Sequence, residues 1–525
     1  QRPNITMVQG NYVSHLDSVL VVDSVMNNAI SVLIYNDSTI APLASDTLLI
    51  WQQGYSYVYE NGIVIDSIYT ASSDTLINYT FTYFSDPYEV INRYEIGRYI
   101  TPYGINLDLG AAGFRWVYDI TDYAHFLHDN VDFQAGSQSE LIDCKFIMIE
   151  GAPARELVQI DRIWGVNRDH LYKNLANNTD LFATTIKKHL NSSSYQVKTR
   201  ITGHGHNSTN GNYPHCCEWK DNTHYLYVDN TLVDSWHIFL DHDCALNPVF
   251  PQGGTWPGAR EGWCPGDVVK DIDFEVTSFT TGDSITVDYD ITDVPANNVG
   301  MGNGRYLMAM HLMQYGPTNY ALDAEIYDVI TPNNWKYYSR KNPVCSDPKI
   351  IIRNSGSTPL TSLKITYGVS GGTNKVYNWT GNLGFMEKAE VNLPVDLGSF
   401  WVGDGDNIFT ATVNNPNGGQ DANSLNDNFH SPFTLPDIYS ENFIIVLRTN
   451  NIPSDNRYEI KDIAGNVVLS RNNFTASTFY YDTLNLPQGC YELSFYDDGD
   501  DGLSYWAYSA QGTGYLRLKN ASGTY

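Results

Sequence analysis

Short runs of alternating hydrophobic and polar residues recur along most of this 525-residue chain, and they predict β-strands rather than helices. Ser-Val-Leu-Val-Val and Ser-Val-Leu-Ile-Tyr are two such runs near the amino terminus, each followed by a polar turn. Asn-Gly, Asp-Gly and Pro-Gly pairs separate many runs, and the chain contains 38 tyrosines. The pattern predicts an all-β protein.

The spacing and style of the runs divide the chain into four expected domains. The first is a lobe over 1–152, in which we interpret 1–90 as a β insertion. A second lobe covers 153–345. Runs such as Ile-Ile-Ile-Arg-Asn-Ser-Gly and Ile-Phe-Thr-Ala-Thr-Val are typical of an immunoglobulin-like sandwich over 346–436, and 437–525 predict a further β-sandwich.

Composition and charge narrow the class of partner. The formal net charge of −28 argues against nucleic acid and anionic membranes, because both attract Lys and Arg. No apolar run is long enough to span a bilayer. An acidic surface tolerates neutral substrates such as glycans, although it also serves solubility alone. We expect a secreted, cell-surface or periplasmic monomer, present here as a mature or trimmed piece without a signal peptide.

Seven cysteines are present, and none forms a C-x-x-C pair typical of a zinc ribbon. Cys244 and Cys264 flank a loop rich in Pro, Gly and Trp, and a disulfide between them suits an exported protein. The odd number leaves at least one thiol unpaired within the chain.

Groups that can transfer protons are concentrated between residues 202 and 266. Glu218 lies between a cysteine and a tryptophan, where an apolar wall could raise the pKa of its carboxyl group. It could activate water or hold a substrate amide; alternatively it pairs with Lys220 or Arg260. Arg260 could clamp a carbonyl or sugar oxygen, or form a salt bridge with Glu261 or Asp267.

Histidines and tryptophans surround these two residues in the sequence. His204 and His206 alternate, so both side chains are expected to point the same way. With Met313 they resemble a copper ligand set, but structural or substrate-contacting roles fit as well. The tryptophans could stack on sugar rings or pack in the core; they are Trp219, Trp256 and Trp263.

An acidic turn in the last segment, Asp-Asp-Gly-Asp-Asp-Gly, places several carboxylates close together. Calcium prefers such oxygen ligands, although no glutamate completes an EF-hand loop and a solvated turn fits equally. The candidate ligands are Asp497, Asp498, Asp500 and Asp501.

Two stretches of motifs occur in a characteristic order. One is Tyr94-Glu-Ile-Gly-Arg98-Tyr-Ile-Thr-Pro-Tyr103, followed by Asp119-Ile-Thr-Asp122-Tyr123. The other begins at Thr202-Gly-His-Gly-His206, includes Cys216-Cys-Glu218-Trp219, and ends at Arg260-Glu-Gly-Trp263-Cys264-Pro-Gly266. Over roughly residues 90–335 the chain resembles the peptide-N-glycosidase F family, amidases that remove N-linked glycans from asparagine.

The resemblance implies two adjacent jelly-roll lobes with the glycan site in the cleft between them, followed by two added sandwiches. It implies catalytic roles for Glu218 and Arg260, and a disulfide between Cys244 and Cys264. The substrate would be an N-linked glycoprotein or glycopeptide, hydrolysed at the β-aspartylglucosaminyl bond without a cofactor. A further expectation is that His204, His206 and the three tryptophans contact this substrate.

The chain departs from the family pattern in several places. The family's principal catalytic aspartate lies in a Cys-spacer-Trp-Asp motif, which is absent here; we expect it to precede Gln1. Lys220 replaces the second cysteine that flanks the glutamate, so Cys217 is expected to be a free thiol or a partner for Cys216. Two alternatives therefore stay open: a copper-dependent monooxygenase on the same fold, and a non-catalytic glycan-binding protein.

Overall fold

The structure, a computed structural model, describes most of the chain from residue 92 onward and only strand segments ahead of it. The described ranges are 4–9, 14–16, 29–34, 44–49, 54–70, 84–86, 92–104, 107–110, 113–128, 131–136, 141–164, 168–205, 216–241, 243–292, 303–339, 343–396, 399–499, 501–504 and 506–523. Nearly every regular element among them is an antiparallel strand. The all-β prediction is confirmed.

Gln1–Tyr99 and Val117–Ile142 form one compact unit. Its elements are β1 Asn4–Gln9, β2 Ser14–Leu16, β3 Ala29–Ile34, β4 Ala44–Leu49, β5 Gly54–Glu60, β6 Ile63–Thr70, β7 Phe84–Asp86, β8 Asn92–Arg98, a 3-10 turn Thr121–Phe126 and β9 Asp132–Ala135. Three strands form a sheet in the order β8-β1-β9, while β2 pairs with β7, β3 with β4, and β5 with β6.

The position of β1 corrects the interpretation of residues 1–90. This strand is the centre of its sheet, with Met7 opposite Tyr94 on one side and Phe133 on the other. Residues 4–9 therefore belong to the lobe, and the insertion begins after them. Local alternation can predict such a strand, but it cannot show that its partner β8 lies more than 80 residues away.

The second unit comprises Ile100–Trp116 and Asp143–Tyr525, and it begins with a two-sheet sandwich. The elements are β10 Arg155–Arg162, β11 Asp169–Leu171, α1 Tyr172–Ala176, β12 Thr184–Lys187, β13 Ser194–His204, β14 Thr223–Val228, β15 Thr231–His237, β16 Phe239–Leu240, a 3-10 turn Asp243–Leu246, β17 Arg260–Glu261, β18 Ile272–Glu275, a 3-10 turn Thr277–Phe279, β19 Ser284–Ile291 and β20 Arg305–Thr318.

One sheet of this sandwich has the order β10-β20-β13-β18, with β11 added on β20; the other has the order β12-β19-β14-β15. A single apolar core joins the two sheets, drawing Val197 from β13, Leu312 from β20, Leu226 from β14 and Val287 from β19. The short pair of β16 and β17 lies apart from both sheets and carries part of the candidate site.

A second sandwich follows, as the immunoglobulin-like pattern predicted. Its elements are β21 Ala324–Thr331, β22 Lys349–Asn354, β23 Leu360–Val369, β24 Lys375–Leu383, β25 Lys388–Asn392, β26 Ile408–Asn414, a 3-10 turn Pro416–Gly418 and β27 Asn428–Pro432. The sheets have the orders β21-β22-β25 and β24-β23-β26-β27. Because β21 pairs with β22, the expected boundary between 345 and 346 falls inside one of these sheets.

The third sandwich ends the chain. It contains β28 Asn442–Arg448, a 3-10 turn Pro453–Asp455, β29 Asn456–Asp462, β30 Val467–Arg471, β31 Phe479–Asn485, β32 Tyr491–Asp497, a 3-10 turn Trp506–Gln511 and β33 Tyr515–Asn520. The sheet orders are β31-β28-β33 and β30-β29-β32. Within the described parts of the chain, no helix combines the length and hydropathy needed to cross a membrane.

Candidate active site

Glu218 lies on a turn whose backbone is held on two sides. The N–H groups of Cys217 and Glu218 both donate to the Gly205 carbonyl oxygen, at 2.8 and 3.0 Å, just beyond the end of β13. The Glu218 carbonyl oxygen accepts the N–H of Glu261 on β17, at 2.8 Å. The side chain keeps 16% of its surface accessible. The backbone at Glu218 is thus held in place, while part of its side chain stays open to solvent.

Arg260 is fully buried and held by the loop that precedes it. Its Nη1 donates to the Gly258 carbonyl oxygen at 2.7 Å, and its Nη2 donates to the carbonyl oxygen and hydroxyl of Thr255 at 2.9 and 3.1 Å. The guanidinium carbon lies 5.0 Å from the centre of the Trp263 ring. A loop and a ring together fix the plane of the cation.

The Nε of Arg260 points toward Glu218. It lies 3.7 Å from Glu218 Oε1, and none of the described residues hydrogen-bonds to it. The pairing between these two residues, one of the alternatives weighed from the sequence, is observed; among the described residues, Arg260 forms no ion pair with Glu261. A buried guanidinium stays charged, so the pair combines a fixed cation with an accessible carboxylate.

The two motif stretches meet at this point. The N–H of Ile100 donates to the Asp267 carbonyl oxygen and the N–H of Gly266 donates to the Ile100 carbonyl oxygen, both at 2.9 Å. Tyr103 receives the side chain of Arg260, whose Nη2 donates to its hydroxyl oxygen at 3.3 Å. Residues far apart in sequence therefore complete one site.

Two predicted substrate contacts are buried instead. Trp263 is 6% exposed, and its indole N–H donates to the Gly203 carbonyl oxygen at 2.8 Å. His204 is 1% exposed, packs against the Trp263 ring, and has its Nε2 2.7 Å from the Thr202 hydroxyl oxygen. A glycine- and proline-rich sequence suggested exposure, but the Trp263 ring packs with Ile100 and Val269 as well as with His204. Neither placement supports contact with substrate.

The remaining aromatic candidates keep accessible surface. Trp219, next to Glu218, is 36% exposed, and Trp256 is half-buried in the loop that holds Arg260. Their predicted contact with sugar stays a prediction. His206 lies outside the described residues.

The copper ligand set is contradicted by strand register. In the pairing of β13 with β20, His204 lies opposite Arg305, whereas Met313 lies opposite Gln196. Eight residues of strand between these positions correspond to roughly 26 Å. His204 and Met313 cannot share one metal ion.

Six of the seven cysteines form disulfides: Cys216–Cys217, Cys244–Cys264 and Cys345–Cys490. The predicted bond next to Trp263 is confirmed. The open question about Cys217 is settled as a bond with its neighbour, directly ahead of Glu218. The free thiol is Cys144, which is exposed.

A polar network that the sequence did not reveal lies behind the site. Glu261 is fully buried, and its Oε1 lies 3.2 Å from both the Tyr306 hydroxyl and His224 Nε2. Burial raises the pKa of the Glu261 carboxyl well above its ordinary value, and the charge of Asp221 adds to this. Burial lowers the pKa of the His224 imidazole to about 3. The sequence offered Glu261 only as a partner for Arg260.

The acidic turn differs from the set of ligands predicted for calcium. Carboxylate oxygens of Asp455, Asp497 and Asp501 all lie within 4.8 Å of one another. Asp498 instead pairs with Arg457 at 2.6 Å, and Asp500 lies outside the described residues. The calcium site stays a prediction, with Asp455 as a candidate ligand and Asp498 turned toward an arginine.

Part of the chain matches a known protein family. Residues 172–313, which include Glu218 and Arg260, match the family model described as "Peptide-N-glycosidase F, C terminal". Over 212 residues the chain is 26% identical to peptide-N(4)-(N-acetyl-beta-D-glucosaminyl)asparagine amidase F of Elizabethkingia miricola. That alignment covers 37% of this chain and 57% of the relative, so the chain spans less than two thirds of its length.

Two solved structures are similar to part of this chain. PNGase F of Flavobacterium meningosepticum aligns with a TM-score of 0.34 and 22% identity, over 43% of this chain and 75% of that chain. PNGF-II aligns with a TM-score of 0.30 and 13% identity, over 61% of this chain and 58% of that chain.

Proposed function

We propose that this protein is a peptide-N-glycosidase F-like amidase, as the family match over residues 172–313 suggests, and that it acts on N-linked glycoproteins or glycopeptides. It hydrolyses the β-aspartylglucosaminyl bond and releases the intact glycan. The observation that carries the proposal is the accessible Glu218 carboxylate, 3.7 Å from the fixed Arg260 guanidinium within the matched segment.

Amide hydrolysis needs an activated water, stabilisation of the negative charge that develops on the amide oxygen, and a proton for the departing amine. Arg260 is fully buried, so its fixed charge acts on Glu218 and, across a short low-dielectric distance, on the developing oxyanion, without touching the substrate. Glu218 orients the attacking water or the first sugar. The reaction needs no cofactor.

Export from the cytoplasm is part of the same proposal. Three disulfides among the described residues support it, because such bonds persist in oxidising compartments. Extracellular or periplasmic location would also bring the protein to glycoprotein substrates.

The test is an incubation of a denatured N-linked glycoprotein with the chain and with a longer form that carries any residues encoded ahead of Gln1. We expect glycan release by the longer form, reduced about 10²-fold or more in Glu218→Gln. Glu156→Gln, an exposed glutamate on β10, is the matched control and should not change release.

Two results would refute the proposal. One is undiminished release by Glu218→Gln. The other is glycan binding without release by the longer form, which would identify a glycan-binding protein.

A further inference from the structure

Glu261 is linked to both residues of the candidate site. It follows Arg260 directly on β17, and its N–H donates to the Glu218 carbonyl oxygen at 2.8 Å. Neighbouring side chains on a strand point to opposite faces. Arg260 accordingly lies on its loop next to Glu218, while the carboxyl group of Glu261 enters the sandwich core.

The carboxyl group is held there by donors from both sheets. Glu261 Oε1 accepts the hydroxyl of Tyr306 on β20 at 3.2 Å, and it lies 3.2 Å from Nε2 of His224 on β14. The backbone N–H of Asn222 also donates to it, at 3.4 Å. Through this one oxygen, the short strand β17 is fastened to both sheets.

The network continues beyond Glu261. The Asn222 amide donates to the Tyr306 hydroxyl at 2.6 Å, and His224 Nδ1 lies 2.6 Å from the Tyr289 hydroxyl on β19. The hydroxyl of Tyr172 donates to Asn222 Oδ1 at 3.1 Å. A polar cluster in an otherwise apolar core is costly unless its groups are paired. Because of this cost, a contribution to stability does not by itself explain a glutamate at position 261.

The Glu261 side chain and the turn ahead of Glu218 both lie close against Gly203 of β13. A Cβ atom at Gly203 would lie 2.1 Å from the Cys217 carbonyl oxygen and 2.7 Å from Glu261 Cγ. Only glycine at position 203 leaves room for both the turn ahead of Glu218 and the Glu261 side chain to pack against β13. A shift of the Glu261 side chain would press on that turn.

We propose that Glu261 is a positioning residue, whose buried carboxyl group sets the separation between Glu218 and Arg260. It touches neither substrate nor the reacting atoms. The role rests on the proposed amidase function for its kinetic consequence, but its geometric consequence can be measured independently.

The kinetic test compares Glu261→Gln with Glu261→Leu. Glutamine keeps an acceptor oxygen for Tyr306 and Asn222, so we expect kcat within about threefold of the original. Leucine removes the acceptor, and we expect kcat to fall about 10²-fold with KM nearly unchanged, as for a misplacement of about 1 Å. Equal kcat values for the two variants would overturn the proposal.

Tyr315→Phe is the control for a loss of stability alone. Its hydroxyl donates to Gln196 Oε1 at 3.1 Å, inside the same sandwich but outside the network. We expect a lower melting temperature with unchanged kcat. Should Glu261→Leu fail to fold, Tyr306→Phe replaces it as the variant that removes one donor to Glu261, with a smaller fall in kcat; an unchanged kcat there counts against the proposal.

Crystal structures separate this proposal from the amidase function. If no form of the protein releases glycan, the proposed function is wrong, yet the distance between Glu218 Oε1 and Arg260 Nε still tests Glu261. We expect that distance to change by about 1 Å in the leucine variant and to be kept in the glutamine variant. An unchanged distance in the leucine variant contradicts the positioning role.

Discussion

The sandwich that carries the candidate site and the immunoglobulin-like sandwich are built by different rules. In the latter, β22 and β26 alternate between buried and partly exposed residues, and the core is apolar. In the former, β13 and β20 are buried at almost every position, and the interior includes Glu261 and His224. Alternation fails because other segments cover the second face of this sheet as well.

The difference distinguishes residues that mainly contribute to the stability of this molecule from residues that mainly contribute to its function. An apolar core gains free energy with every buried side chain, so its residues are interchangeable by size and shape. A buried polar network gains little, but it fixes directions and distances. We therefore expect substitutions in the first kind of core to change stability, and substitutions near Glu218 to change turnover.

Arg260→Lys should have the largest effect on activity. Lysine cannot reproduce the forked hydrogen bonds to Thr255 and Gly258, so its charge would leave the present position. We expect glycan release to fall about 10²- to 10³-fold. Arg353→Lys, which alters a 2.6 Å pair with Glu325 in the immunoglobulin-like sandwich, is the control and should leave release unchanged. Similar glycan release by both variants would contradict the distinction between the two sandwiches.

Phe409→Ala tests the expectation that substitutions in the apolar core change stability and not turnover. Phe409 is fully buried in the apolar core of the immunoglobulin-like sandwich, and truncation of such a ring costs about 3–5 kcal/mol. Calorimetry should show one transition moved to lower temperature. Glycan release measured below that transition should be unchanged. A fall in kcat without loss of stability would contradict the division.

A buried carboxyl group in the second sandwich gives a pH dependence. Burial and contact with Asp421 raise the pKa of Asp323 to about 8. The folded state therefore holds a proton that the unfolded state releases near its ordinary pKa, so stability falls as pH rises from about 4 through about 8. Asp323→Asn should reduce the loss of melting temperature between about pH 5 and about pH 9. An unchanged loss of melting temperature in this variant would show that Asp323 does not cause the pH dependence.

Calcium should have the smallest effect, confined to the third sandwich. If Asp455, Asp497 and Asp501 bind it, saturating calcium should raise the melting transition of this sandwich by about 2–4 °C. Asp497→Asn should abolish the rise. Asp498→Asn should keep it, because Asp498 pairs with Arg457. If calcium does not raise the melting transition of the unsubstituted protein, the acidic turn is a solvated turn and not a calcium site.

The sequence predicted what local pattern and motif spacing can carry. Alternation identified the strands, and the motif series identified Glu218, Arg260 and the bond between Cys244 and Cys264. The role of Glu261 was missed because a buried glutamate looks like any other charged residue until its neighbours are known. Trp263 was expected at the surface because its loop is rich in glycine and proline, but the Arg260 side chain covers it.

Long-range pairing accounts for the other differences. Nothing local indicates that Cys345 bonds with Cys490, 145 residues away. Asp455 joins Asp497 and Asp501 only because β29 and β32 are adjacent strands. The pairing of β21 with β22 likewise depends on the sheet that forms, and it joins β21 to a strand beyond the boundary that the change in sequence pattern had suggested.

Product analysis in heavy-oxygen water tests the central claim most directly. A glycopeptide is incubated with the longest available form of the protein, and the peptide product is analysed by mass spectrometry. An amidase that uses Glu218 and Arg260 must convert the glycosylated asparagine to aspartate carrying one heavy oxygen, and Glu218→Gln must suppress this product. A peptide that keeps N-acetylglucosamine on an intact asparagine would contradict the account.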